Sequence, residues 1–233
     1  MEAIILAGGK GTRLKSLLPD VPKPLAPVLN RPFLHHVMSY WCKQGITRFV
    51  VSTGYKKEYF PFLLGNSHQA CPIVYSVEND PLGTGGGLLK ALRHIEGEFL
   101  LVLNGDTIFE ALLPEIQFWM RRRDSDAVFV LRELHNTSRF GVVELDEDGW
   151  IKSFSASSQN QTAYINGGVY LFKKSALQAI AETWDEQFIS LENDIFPRLV
   201  EAQKIYGFVS DARFLDIGVP EDYMKAEEFF AYA

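Results

Sequence analysis

"AIILAGGKGTRL" (residues 3–14) opens on an apolar run and breaks at once into glycines, a lysine and an arginine. The run reads as a strand buried on both faces. A glycine loop leaving such a strand lies at the carboxyl edge of a sheet, where open α/β folds bind ligands. Glycines let backbone N–H groups approach phosphate oxygens closely. Two phosphate loops can be tested by position. A P-loop needs glycine at position 4 and Ser or Thr at position 11, where the chain has Ile4 and Gly11. A dinucleotide fingerprint starting at Gly9 puts its third glycine on Leu14. Both fail, so the grip on phosphate has to be identified from residues further along.

Outward from this stretch, "FVVST" (49–53), "IVYSV" (73–77) and "FLLVLN" (99–104) read as further buried strands. Helical spacing fills the intervals Phe33 to Gln44, Leu88 to Ile95 and Leu112 to Arg123. Strand–helix–strand repetition implies a parallel sheet with right-handed crossovers. After residue 125 strands follow in close succession: "AVFVL" (127–131), "GVVEL" (141–145), "WIKSF" (150–154) and "YINGGVYLF" (164–172), with "DEDG" (146–149) as a hairpin turn. Helices resume near Ser175 and Leu191, and "PEDYMKAEEFFAYA" predicts a closing helix with Pro220 in its first turn. The reading is one α/β domain over residues 1–233, a mostly parallel sheet carrying an antiparallel elaboration, without a Ser/Gly/Pro-rich linker or internal repeat.

Of the 233 residues 47% are apolar and 22% charged, a globular composition with enough material for a substantial core. The formal net charge of −6 argues against duplex nucleic acid, while leaving room for a local positive pocket that takes a small anion. Cys42 and Cys71 lack CxxC spacing and further partners, so two buried free thiols are expected rather than a disulfide framework or zinc site. No secretory signal and no run near the ~18 apolar residues of a membrane span is visible, and Asn136-Thr137-Ser138 and Asn160-Gln161-Thr162 read as chance glycosylation triplets. The expectation is a cytoplasmic protein. No heptads or hexapeptide repeats dictate an assembly, which leaves a homo-oligomer open.

The continuation "GGKGTRLKSLLPDVPKPLAPV" supplies the cations. Arg13 can fork across two phosphate oxygens, and Lys23 is a compact point charge whose backbone is restricted by Pro22 and Pro24. This combination resembles the sugar-1-phosphate nucleotidyltransferase family, whose signature is GGxGTRL followed by PKP. The resemblance covers essentially the whole chain, and it implies a Rossmann-like sheet with a nucleotide-binding part (about 1–125) and a sugar-binding part (about 126–233). By resemblance, Leu6, Ala7, Gly8, Gly9, Gly11 and Thr12 line the nucleotide, and Lys23 and Arg13 are the catalytic cations.

Further landmarks recur in order. "VLNGDTIF" (102–109) puts Asp106 just past a buried strand, where the residue alone could merely cap a turn. In the similar enzymes this position holds Mg²⁺ with an aspartate near the C-terminus, which "RFLDIGVPEDY" supplies as Asp216. "SVENDPLGTGGGLLKAL" (76–92) lies beside base and ribose in that family, bringing in Glu78, Gly83 and Thr84. A carboxylate at Glu78 suits the N1–H and N2–H₂ donors of guanine better than the single donor of thymine or uracil. Gly141, Asn166 and Gly167 would lie along the sugar ring. "ISLENDIFP" (189–197) adds Glu192 as a hydroxyl acceptor, whereas Asp194 reads at least as well as a helix N-terminal carboxylate. Many relatives carry a Glu-Lys pair where this chain has Ala156 and Ser157, so either Lys152 or a nearby arginine substitutes for that lysine, or the sugar phosphate is held more weakly, or the loop binds an unusual sugar. The DxD in "RRRDSD" (121–126) follows a basic helix end and reads as a turn, and the five histidines carry no ligand spacing.

These expectations add up to transfer of a nucleoside monophosphate from a triphosphate to a sugar 1-phosphate. "PLGTGG", "SLENDIFP" and "DIGVPEDY" look most like guanylyltransferases acting on D-glycero-D-manno-heptose 1-phosphate, for bacterial surface polysaccharide. A hexose-1-phosphate enzyme using GTP, dTTP or UTP is the alternative. A regulatory subunit that binds nucleotide-sugar without turnover is the other.

Overall fold

Ala3, Ile4 and Ile5 are each fully buried, as a strand covered on both faces requires. The computed structural model describes residues 1–9, 11, 14, 17–135, 137, 140–155, 162–202 and 204–231. In chain order come β1 (Glu2–Leu6), β2 (Pro27–Val28), β3 (Arg31–Pro32), α1 (Phe33–Lys43), β4 (Arg48–Thr53), α2 (Tyr59–Leu64), β5 (Ser67–His68), β6 (Cys71–Val77) and α3 (Gly83–Leu92). Then follow β7 (Phe99–Asn104), β8 (Thr107–Phe109), α4 (Leu113–Arg123), β9 (Ala127–Leu134), β10 (Val142–Leu145), β11 (Ile151–Ser155) and β12 (Ala163–Lys173). The last stretch holds α5 (Lys174–Ala181), a π turn at Leu191–Ile195, α6 (Phe196–Glu201), β13 (Ile205–Val209), β14 (Phe214–Asp216), α7 (Pro220–Tyr223) and α8 (Ala226–Ala231).

The centre of the sheet is parallel, in the order β7-β1-β4-β6. Leu6 stands opposite Ser52 on one side and Asn104 on the other, so the carboxyl ends of these strands share one edge. The chain moves from β1 out to β4 and β6, then returns through α3 to β7 on the far side of β1. That reversal makes the β1/β7 boundary a topological switch point, the place where such sheets leave a crevice. Side-chain alternation divides the core. Ala3, Ile5, Phe49 and Val51 face α1 and α4, whereas Ile4, Val50, Leu100 and Val102 face α3, α5 and α6. Each fully buried aliphatic chain of this kind contributes about 1.5–3 kcal/mol, which makes the strands the anchor for the loops at their ends.

Beyond β7 the sheet turns antiparallel, as expected: β12 pairs with β7, β9 and β10, and β10 with β11. Asp146 closes the β10–β11 turn by accepting from the N–H groups of Asp148 and Trp150 at 3.0 and 2.8 Å. Several boundaries differ from the sequence reading. Helix α3 starts at Gly83 rather than Leu88, and the closing helix is two short ones, α7 and α8, that bring Tyr223 Oη onto Pro27 O at 2.5 Å and Phe230 onto the His36 ring at 4.2 Å. Strands β13 and β14 were not expected; β13 lies parallel to β9, and β14 antiparallel to β8. Cys42 and Cys71 are free thiols with Sγ atoms 2.9 Å apart, Cys71 buried and Cys42 only half-buried. Burial, then the bond to Cys71, pushes the Cys42 thiol up to about 12. Both glycosylation triplets include residues outside those described.

Candidate active site

The shared strand edge opens into a cleft of about 880 Å³. Its floor is the loop after β1. Gly8 has no room for a side chain, because a Cβ there would stand 2.7 Å from Glu78 Oε1. Gly11 adopts φ 55°, and a Cβ would meet Lys23 Cβ at 2.9 Å. Both glycines therefore let backbone pass close to functional side chains. Lys23 itself sits in a single 3-10 turn, Lys23–Leu25, between Pro22 and Pro24. Only 8% of its side chain is exposed, so its reach is fixed by packing.

That ammonium lies between two carboxylates, 2.5 Å from Asp106 Oδ2 and 3.8 Å from Asp216 Oδ1. The β8–β14 ribbon brings the two aspartates together: Asp216 stands opposite Thr107, and Ile217 N–H donates to Asp106 O at 3.0 Å. The carboxylates keep 34% and 24% exposure, and Asp106 lines the cleft. One ammonium between two carboxylates leaves the cluster one negative charge in excess. A pair of partly open carboxylates with that excess fits a hard divalent cation, which takes oxygen ligands and keeps water or phosphate in its other positions. No group of three or more acidic, His or Cys side chains stands ready to hold a metal among the described residues, so such an ion would depend on its ligand for the remaining oxygens.

At the other end, Glu78 is buried and follows β6 directly. Its Oε1 accepts from Ser52 Oγ at 3.2 Å and its Oε2 from Leu82 N–H at 3.0 Å. Each oxygen keeps acceptor capacity toward the cleft. The four glycines of α3 have a different function from the floor loop. A Cβ on Gly83 would sit 2.4 Å from Ile189 O, one on Gly85 2.8 Å from the Ile189 side chain, and one on Gly86 3.1 Å from the Trp184 ring. They are bare so that the segment around Trp184–Ile189 can lie on the first turn of α3. Gly87 instead makes room for Glu78, whose Oε1 would be 2.7 Å from its Cβ. The segment then delivers Glu192, whose Oε2 accepts from Thr84 Oγ1 and Ser190 Oγ, both at 3.1 Å. Asp194 turns away from the cleft and accepts from Ser190 N–H at 2.6 Å, the helix-start role that its position allows.

Leu6, Ala7, Gly8, Gly9, Gly11, Lys23, Glu78, Gly83, Thr84, Asp106 and Glu192 thus line one cleft, and Asp216 adjoins it through Lys23 and Gly218. Thr12, Arg13, Ala156 and Ser157 lie outside the described residues. Gly141, Asn166 and Gly167 do not line the cleft. Gly141 stands before β10, where a Cβ would be 3.8 Å from Ser155 O. Gly167 packs on Phe109, whose ring would be 2.4 Å from a Cβ. Asn166 shapes a bulge in β12, accepting from Gly168 N–H at 3.0 Å and donating to Tyr170 Oη at 2.8 Å. Tyr170 is fully buried, and burial followed by the Glu192 charge pushes its phenol far above its ordinary range, so it stays protonated. Asn104, which does line the cleft, bonds the same hydroxyl and packs on Gly168, so the bulge supports the cleft from behind.

Sequence reasoning missed Ser52, Asn79, Asn104, Asn193 and Phe188 as lining residues. Ser52 and Asn104 stand at or beside the ends of the strands flanking β1, a signal available in the sequence. Phe188 carried none. The DxD is a turn: Asp124 ends α4 with φ 47°, and Asp126 pairs with Lys173 and Lys204.

A glycine loop at a switch point, facing a lysine held between two carboxylates, defines an α/β protein built to handle phosphate. The chain belongs to the nucleotidyl transferase family, whose model matches residues 2–232. It is 40% identical to the D-glycero-alpha-D-manno-heptose 1-phosphate guanylyltransferase of Aneurinibacillus thermoaerophilus, over 98% of this chain and 97% of that one. The protein of the same name from Campylobacter jejuni is 36% identical over 96% and 97%. Among solved structures, HddC from Yersinia pseudotuberculosis complexed with GMP-PN superposes with TM-score 0.84 at 35% identity, covering 98% of this chain and 99% of that one.

Proposed function

We propose that this protein transfers GMP from GTP to D-glycero-α-D-manno-heptose 1-phosphate, releasing pyrophosphate and forming a GDP-heptose for bacterial surface polysaccharide. The observation that carries the reading is Lys23 held between Asp106 and Asp216 at one end of a cleft whose other end is walled by Glu78. The near-full-length likeness to the heptose guanylyltransferases supports the choice of sugar and base.

A phosphate oxygen of the sugar 1-phosphate attacks the α-phosphorus, forming one P–O bond while the bond to the β-phosphate oxygen breaks. The nucleophile is already anionic, so no general base is required, and catalysis consists of alignment and charge stabilisation. Lys23 draws the two phosphates together and offsets their repulsion. The Gly8–Gly11 backbone and Arg13 hold the β- and γ-phosphates as negative charge builds on the leaving pyrophosphate. Asp106 and Asp216 would hold Mg²⁺, which would supply Lewis-acid polarisation and a template for the phosphates. Glu78 accepts from the guanine edge, and Glu192, oriented by two hydroxyls, accepts from a sugar hydroxyl. The resemblance assigns Gly141, Asn166 and Gly167 to the sugar ring, and none of the three lines the cleft. Such a reaction draws on the cytoplasmic GTP pool; no described helix is long and apolar enough to cross a membrane.

The test is pyrophosphate release by the purified protein, with GTP, ATP, UTP and dTTP crossed against heptose, mannose and glucose 1-phosphates. GTP with the heptose should be fastest, with GDP-heptose identified by mass. Faster turnover with UTP or dTTP would reassign the base. Tight GDP-heptose binding without any pyrophosphate release would mark a regulatory subunit instead.

A further inference from the structure

Phe188 is 68% exposed, an expensive position for a large apolar ring, yet it lines the cleft. Its backbone is held on both sides. The backbone on its carboxyl side is zipped to the start of α3, with Ile189 N–H donating to Leu82 O at 2.9 Å and Ile189 O accepting from Gly85 and Gly86 N–H at 3.0 and 3.2 Å. On its amino side, Trp184 Nε1–H donates to Gln187 O at 2.9 Å. The ring tip rests on Gly83, 3.1 Å from where a Cβ would be. A side chain at Gly83 would push the ring away, so the bare helix start and the ring form one surface.

That surface is at the Glu78 end of the cleft. The segment 78–83 leaves β6, whereas Asp106 follows β7, three strand spacings across the sheet, or roughly 14 Å. Asn79 and Asp80, which line the same cleft between Glu78 and Gly83 in the chain, are polar. One aromatic face among hydrogen-bonding groups suits a planar base, whose edge takes the polar contacts and whose face takes the ring. We infer that Phe188 is the stacking wall for the nucleobase and favours a purine, the larger π-surface, over a pyrimidine. The inference rests on the guanylyltransferase reading and adds the residue that holds the base by its face.

The experiment is equilibrium binding of GTP and of inorganic tripolyphosphate, each with Mg²⁺, to the wild type, Phe188→Ala and Phe188→Trp. Phe188→Ala should weaken GTP roughly 5- to 150-fold, the loss that one base–aromatic stack confers, and leave tripolyphosphate unchanged. Phe188→Trp should retain GTP affinity. Thermal unfolding should barely move, because the ring is mostly outside the core. In turnover, KM for GTP should rise in Phe188→Ala while KM for the sugar 1-phosphate stays. Unchanged GTP affinity, equal losses for GTP and tripolyphosphate, or a KM rise confined to the sugar 1-phosphate would each overturn the inference. A wild type that binds no GTP fails the functional reading itself, and so is distinguishable from failure of the Phe188 assignment.

Discussion

Lys23 combines low exposure, a fixed backbone and two carboxylate neighbours, and it is the only cationic side chain lining the cleft among the described residues. Lys23→Ala should lower kcat by about 10²–10³-fold, in the range seen when one preorganised transition-state donor is lost. Steady-state pyrophosphate release is the check, and a kcat within a few-fold of wild type would remove Lys23 from the reacting centre. Asp216→Asn and Asp106→Asn should each raise the Mg²⁺ concentration for half-maximal rate, measured by titrating Mg²⁺ at saturating GTP. Glu78 is different, because it also ties Ser52 to the start of α3. Glu78→Gln keeps an acceptor and gains a donor, so guanine should lose one of two hydrogen bonds and KM for GTP should rise by about tenfold, the equivalent of 1.4 kcal/mol. The identities of Lys23, Glu78 and Asp106 were legible because each follows a strand or signature at a recognisable offset. Phe188 was not: it looks like a loop aromatic, and only its neighbours in space give it a role.

Four glycines in the first turns of one helix contradict local propensity, at about 1 kcal/mol each relative to alanine. The segment around Trp184–Ile189 resolves the contradiction for Gly83, Gly85 and Gly86, since it needs the room that side chains would fill, and Glu78 does so for Gly87. This is also why the sequence reading began α3 at Leu88, where the apolar period starts. Gly83→Ala combines a disfavoured φ of 78° with a Cβ 2.4 Å from Ile189 O. It should destabilise the protein by about 1–3 kcal/mol or more, seen as a lower Tm. Leu191 N–H donates to Thr84 Oγ1 at 2.9 Å, so the same variant should also loosen Glu192 and raise KM for the sugar 1-phosphate. An unchanged Tm would mean that the segment does not need the bare helix start. The β8–β14 ribbon is the other element-level device. Three residues per strand carry no readable period, and the pairing became apparent only from the register that sets Asp216 against Thr107.

At the scale of the whole molecule the ligand edge and the opposite side of the sheet have different chemistry. Near the start of β6, His68 accepts or donates to Ser39 Oγ at 2.8 Å and stacks on His35 with centroids 4.9 Å apart. Burial first, then the charges of His35, Arg31 and His36, hold His68 down to about 4. Burial likewise lowers His35. An unfolded histidine titrates near 6.5, so between pH 6.5 and about 4 the unfolded chain binds more protons than the folded one. Stability conferred by neutral His68 is therefore present above pH 6.5 and is lost as pH falls through that window. The rings are half-exposed, so solvent screening keeps the effect below the full linkage value. Tm should drop between pH 7.5 and 5, and His68→Gln should flatten that slope; an equal slope in the variant would move the effect elsewhere. The parallel half of the sheet was legible because Ile4, Val50 and Val102 stand in uninterrupted apolar runs. Strand β13 was hidden because its Gly207 breaks the run, and that glycine is required by Leu145 and Leu131 from other strands, 2.5 and 2.8 Å from a Cβ.

By itself the sequence determined the alternation of buried strands and helices, the glycine loop on the first strand, and the signature shared with the nucleotidyl transferase family. Those features are local: burial period, turn chemistry and residue spacing are written within a few consecutive positions. Only the tertiary structure decided that Asp216 meets Lys23 and Asp106, that Gly141, Asn166 and Gly167 stay off the cleft wall, and that Phe188 stands over Gly83. Each depends on register between segments far apart in the chain, where a shift of one residue turns a side chain to the opposite face.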